Sequence, residues 1–135
     1  MNINWQSYDD KFFQRFCNAL LSLEVSKSFE PFSAPGRDGG IDGLFSGTYD
    51  GRSGKWRFQD KFHKTARKEA YNSLKADVPI EIQKLANENH FIILSNVGLL
   101  PQEKKELFLL AQKELARINK SSVSFDVWDD AKIHT

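Results

Sequence analysis

An Asp-Gly pair set between two strand-like stretches fixes the middle of this chain. Residues 41–48 and 55–62 each read as a short strand, and the segment between them is Tyr49-Asp50-Gly51-Arg52-Ser53-Gly54. Asp-Gly readily adopts the positive φ angles of a tight hairpin turn, so the two stretches are expected to pair antiparallel. The remaining elements have to be arranged around that hairpin.

Before it, the spacing predicts a helix from Tyr8 to Leu23. Ser7 is the expected N-cap, Asp9 and Asp10 suit the positive end of the dipole, and Phe12, Phe13, Phe16, Cys17, Leu20 and Leu23 mark the expected buried face. Residues 30–40, with two prolines and three glycines, read as a turn-rich loop. After the hairpin, one helical stretch is expected near Thr65 and a second from Pro79, a residue suited to a first helical turn. Phe91-Ile92-Ile93-Leu94 reads as a strand buried on both faces. Pro101 opens a long helix with Leu107, Leu110, Ala111, Leu115 and Ile118 inward, and Val123–Trp128 closes the chain as a strand. Strand, helix and strand at the end suit a right-handed parallel crossover. The expected fold is therefore α/β, a mixed sheet with a central hairpin flanked by helices.

The length, 135 residues, fits a single domain over 1–135, and 40% apolar residues suit a packed core. The only cysteine, Cys17, is expected as a reduced core thiol. No apolar run approaches a membrane span, and the first residues lack the pattern of a secretion signal, so the expectation is a soluble cytoplasmic protein with no membrane partner. Net charge is only +1, but residues 51–75 carry eight Lys or Arg against two acids, between acidic flanks. Such a block suits a phosphate-binding surface, although a charge run alone more often marks a solvated face.

The chemistry concentrates in Asp38-Gly39-Gly40-Ile41-Asp42 and Gln59-Asp60-Lys61. Gln59 and Lys61 are two apart on one strand and so share a face, and hairpin pairing brings Asp42 toward them. A carboxylate, an amide oxygen and an ammonium group in one pocket suit phosphodiester hydrolysis. A hard divalent cation takes oxygen ligands, and a lysine can orient water and stabilise developing charge. Asp38 fits a turn role. His63 offers a phosphate contact or acid–base chemistry, although it follows a strand end, where an exposed histidine is expected. His90 and His134 share no metal-ligand spacing with it, which argues against zinc. Trp5, Trp56 and Trp128 are expected to pack in the core or at its edge rather than to stack on bases.

These segments resemble the Mrr-like branch of the PD-(D/E)xK restriction-endonuclease superfamily, whose pattern is G-D-G-G-I-D followed by Q-x-K. Arg37 replaces the first glycine here. The order of the other elements resembles the family over nearly the whole chain. The resemblance implies a Mg2+- or Mn2+-dependent endonuclease on double-stranded DNA. Asp42 would be the metal-binding acid, with Gln59 and the backbone carbonyl of Asp60 as further ligands, and Lys61 the catalytic lysine. Many members carry an acid on the first helix; Gln14 stands there, and Asp9 or Asp10 are substitutes. Lys64, Arg67 and Lys68 follow the catalytic strand and are the expected phosphate contacts. A homodimer or higher assembly would supply two cuts. Such domains often lie at the N-terminus of larger proteins, including bacterial anti-phage systems with a STAND-type NTPase. Because Gln14 and Gln59 replace two usual acids, a weak or inactive nucleic-acid-binding module is the first alternative. A protein-interaction domain is the second.

Overall fold

The computed structural model describes residues 4–25, 30–31 and 43–133. Asp38 and Asp42, and most of the turn-rich segment, lie outside the described residues. The elements are a 3-10 turn at Trp5–Ser7, then α1 (Asp10–Glu24), β1 (Glu30–Pro31), β2 (Gly43–Tyr49), β3 (Arg52–Lys61) and α2 (Arg67–Ile82). They continue with β4 (His90–Ser95), α3 (Pro101–Arg117), β5 (Ser124–Trp128) and α4 (Asp130–Ile133). The fold is α/β, as expected. The sheet order is β1-β2-β3-β4-β5, antiparallel from β1 to β3 and parallel from β3 to β5.

The hairpin is tighter than the sequence suggests. Only Asp50 and Gly51 form the turn, with φ of 53° and 73°, and Tyr49 already faces Arg52. Two positive φ angles give the twist that right-handed strands need, so pairing starts at once and runs back to Gly43↔Phe58.

Alternation along β3 builds two cores. Trp56 and Phe58 face α1 and join Phe13, Cys17, Leu21 and Trp128. The opposite face carries Ile93, Phe91 and Val127 against Leu74, Val78 and Ile82 of α2 and Leu107, Ala111 and Leu115 of α3. β4 is buried along nearly its whole length because helices cover both of its faces. Cys17 is buried, and all three tryptophans pack in the α1-side core.

Three expectations need correction. The cap of α1 is Asp9, whose side chain accepts from the Phe12 N–H at 2.9 Å, while Ser7 belongs to the preceding turn. The buried stripe of that helix runs Phe13–Cys17–Leu21. Leu23 lies about 200° further round from Leu21 at 3.6 residues per turn, and it is 87% exposed. Pro79 does not start a helix; it sits inside α2. Its ring removes one hydrogen bond, but Val78 and Ile82 on either side are fully buried. Burial of two such side chains, at about 1.5–3 kcal/mol each, offsets a penalty of about 3 kcal/mol.

Candidate active site

The strand β3 carries Gln59 and Lys61 to its C-terminal end on the face covered by α2. Gln59 pairs laterally with Ile93 and Lys61 with Ser95, so both lie above the C-terminal end of the parallel pair β3–β4, where α/β sheets commonly open a ligand crevice. The Gln59 side chain is buried, and its Nε2 lies 3.4 Å from the carbonyl oxygen of Asp60. By alternation, the Asp60 carboxylate is on the other face, where both of its oxygens are buried.

Lys61 is held by α2. Its Nζ is 2.5 Å from Glu81 Oε2 and 3.9 Å from Asp77 Oδ2. Glu81 is 3% exposed and also pairs with Lys84 at 2.9 Å. Asp77 and Glu81 stand one helical turn apart, which puts both on the face that meets β3. The same Asp77 oxygen lies 3.8 Å from Nε2 of His63.

His63 is therefore not the exposed histidine expected of a strand end. Its side chain is only 18% exposed. Burial holds its pKa below the usual histidine value, Asp77 opposes that shift and Lys61 adds to it. Its backbone is clamped by Asn96: the His63 N–H donates to Asn96 Oδ1 at 2.9 Å, and Asn96 Nδ2 donates to the His63 carbonyl at 2.6 Å. A cleft of about 200 Å³ opens here, lined by Asn4, Trp5, His63, Arg67, Asn96 and Gly98 among others.

The expected phosphate contacts divide. Lys64 is exposed. Lys68 lies over the Tyr71 ring at 5.2 Å. Arg67 is engaged, donating to both carboxylate oxygens of Glu103 at 2.7 and 3.2 Å and to the Gly98 carbonyl. Of the eight basic residues in the block, five are ion-paired: Arg52, Arg57, Lys61, Arg67 and Lys75. Arg52 pairs with Asp50 just before the block, and the partners of the other four, Glu81, Glu88, Glu103 and Glu106, come from the later, acidic part of the chain, so the block is more neutralised than its sequence suggests.

Gln14 is buried on α1, which packs on the face opposite Gln59 and Lys61. The structure thus places Gln14 on the Asp60 side-chain face, away from the cluster on α2. Asp9 is used as a helix cap and is exposed, which leaves it outside the pocket. Asp77, Glu81 and Asn96 were not singled out from sequence. Their one available signal was the i, i+4 spacing of Asp77 and Glu81, hidden once a helix boundary was placed at Pro79.

Among the described residues, no group of three His, Cys, Asp or Glu side chains is placed to hold a metal ion. The donors beside Lys61 are of another kind. A half-turn of the Gln59 amide would set its oxygen where Nε2 stands, next to the Asp60 carbonyl. At 3.4 Å the two oxygens would stand wider than the roughly 3 Å that separates neighbouring ligands of a small octahedral cation, so Gln59 would have to draw in on binding one. The donor chemistry fits Mg2+ or Mn2+, with a carboxylate still required. No protein-family model matches the sequence, and no curated protein matches it significantly.

Proposed function

We propose that the chain is a metal-dependent DNA endonuclease whose centre is the Gln59–Lys61 face of β3. The observation that carries this reading is the joint placement of Gln59, the Asp60 carbonyl and Lys61 at the C-terminal end of β3, on a strand hairpin-paired to the segment that follows Asp42. Asp42 is bonded directly to Gly43, and Gly43 pairs with Phe58, the neighbour of Gln59.

In this reading Gln59 Oε1, the Asp60 carbonyl and the Asp42 carboxylate hold the cation. When bound, a divalent cation polarises the phosphoryl oxygens and acidifies a coordinated water. Lys61 acts as a positive charge. Held by Glu81 and Asp77, its ammonium is fixed in place and neutralises charge that develops on the phosphoryl group. Lys64 and Lys68, which have no carboxylate partner among the described residues, guide the phosphate backbone toward the cleft, and Arg67 contributes what Glu103 leaves uncompensated. Cutting both strands takes two sites and therefore a homodimer or larger assembly. A cytoplasmic role in bacterial defence, as one domain of a larger protein, accords with the resemblance.

A second reading is favoured by one specific observation: Lys61 is already paired with a buried carboxylate and the acid slot holds Gln59. A module that binds nucleic acid without cutting it would tolerate both. Incubation of supercoiled plasmid with the purified chain and Mg2+ or Mn2+ separates the two. The nuclease reading expects nicked and linear products that a chelator abolishes. Binding without any nicking selects the inactive module, and failure to bind or cut selects a protein-interaction domain.

A further inference from the structure

We propose that His63 is the general base of this site, oriented by Asp77 and exposed to substrate through Nδ1. The inference rests on the nuclease reading and assigns it a proton acceptor. Lys61 is a poor choice for that role, because its nitrogen is taken up by Glu81 and Asp77. Among the described residues, His63 is the other titratable group beside the same Asp77 oxygen.

The ring is arranged asymmetrically. Nε2 is buried, forms no hydrogen bond and is 3.8 Å from Asp77. Nδ1 has no hydrogen-bond partner among the described residues, yet it is not enclosed as Nε2 is. The tautomer with the proton on Nε2, toward Asp77, leaves the lone pair on Nδ1, the ring nitrogen that is not enclosed. A base whose far nitrogen faces a carboxylate is the orientation that general-base catalysis needs. The double hydrogen bond from Asn96 fixes the backbone that carries the ring.

His90 provides a contrast within the chain. Its Nδ1 lies 2.6 Å from Ser124 Oγ and its Nε2 lies 2.9 Å from the Ser53 carbonyl, so both nitrogens are occupied and the ring is a structural tie. Among the described residues, neither His63 nitrogen has a hydrogen-bond partner, and the residue lines a cleft.

The step balances as follows. Nδ1 takes a proton from water, and the oxygen forms a bond to phosphorus. The bond from phosphorus to the leaving sugar oxygen breaks with its electron pair, and that oxygen takes a proton from solvent. The imidazolium then returns its proton to solvent. The charged groups around His63 are Asp77 from α2, Lys61 from β3 and Arg67 at the start of α2. The rest of the cleft lining, Asn96, Asn4 and Trp5 among it, is uncharged.

The test pairs a nitrogen-detected NMR titration of the intact chain with plasmid cleavage rates in Mg2+ across pH. The His63 resonance, assigned with His63→Gln, should titrate below the usual histidine value and show the Nε2-protonated tautomer when neutral. Asp77→Asn should lower its midpoint further, since Asp77 favours the charged ring. Cleavage should rise with pH along an acidic limb with the same midpoint, and that limb should move with the NMR midpoint in Asp77→Asn. His63→Gln should lose about 100-fold in rate at neutral pH and lose the limb, with metal-free DNA binding unchanged. A His63→Gln enzyme that cuts near the wild-type rate, or an acidic limb that ignores Asp77→Asn, overturns the assignment while leaving the nuclease reading intact. A wild type that cuts no DNA overturns the nuclease reading itself, and the base role with it.

Discussion

Gln59 is the residue where the chemistry is most exposed to test. In the proposed site it would be a weaker ligand than a carboxylate; its amide is buried, and it lies beside the Asp60 carbonyl. Gln59→Glu adds a negative charge to a donor set that already suits a hard cation. It should tighten Mn2+ binding, measured by electron paramagnetic resonance of free Mn2+, and retain cleavage. Gln59→Leu keeps the volume and removes the oxygen, so it should weaken Mn2+ binding and lose cleavage. Equal Mn2+ affinity in Gln59→Leu and wild type would show that this side chain does not touch the metal. The residue-level reading from sequence reached the shared strand face of Gln59 and Lys61 and the packing of Cys17 and the tryptophans, because period-2 alternation and apolar runs encode them directly. It missed Asp77 and Glu81. Their role depends on a helix passing through Pro79, and a proline read locally marks a boundary although tertiary burial of Val78 and Ile82 carries the helix on.

At the scale of elements, the hairpin and its junction with β4 decide whether the site forms. The turn itself was legible in Asp50-Gly51. Its tightness was not, because Gly54 reads as loop when its neighbour in space, Asn89, is unknown. Asn89 Oδ1 accepts from the Lys55 N–H at 2.8 Å and the Asn89 N–H donates to the Lys55 carbonyl at 2.8 Å, which locks the start of β3 to the entry of β4. A Cβ at Gly54 would meet Asn89 Oδ1 at 2.5 Å, with φ at +135°, whereas one at Gly51 meets nothing within 4 Å at φ +73°. Both alanine variants strain the backbone by about 1–3 kcal/mol, but Gly54→Ala also displaces the Asn89 hydrogen bond, worth about 1 kcal/mol. Urea unfolding should therefore show the larger fall in midpoint for Gly54→Ala, at unchanged slope. The opposite order would mean that Asn89 does not hold the two strands together.

For the whole molecule, the sheet separates two packed faces and gathers its reactive groups at one end. Hydrophobic periodicity alone predicted the α/β order, the parallel arrangement at the end of the chain and the double burial of β4. Among the described residues, no helix is long and apolar enough to cross a membrane. Charge was harder to read from sequence, since acids on β4's approach, α2 and α3 return in space to neutralise much of the basic block. Cleavage at the proposed site consequently depends on the fixed charge of Lys61 rather than on a broad basic surface. The most direct measurement compares plasmid cleavage in Mg2+ by the wild type and by Lys61→Ala, each assayed below its own unfolding transition, because the variant leaves buried Glu81 with Lys84 as its remaining ion-pair partner. Lys61→Ala should still bind DNA in metal-free buffer and lose about 100-fold or more in cleavage rate. Cleavage by Lys61→Ala at the wild-type rate would contradict that dependence.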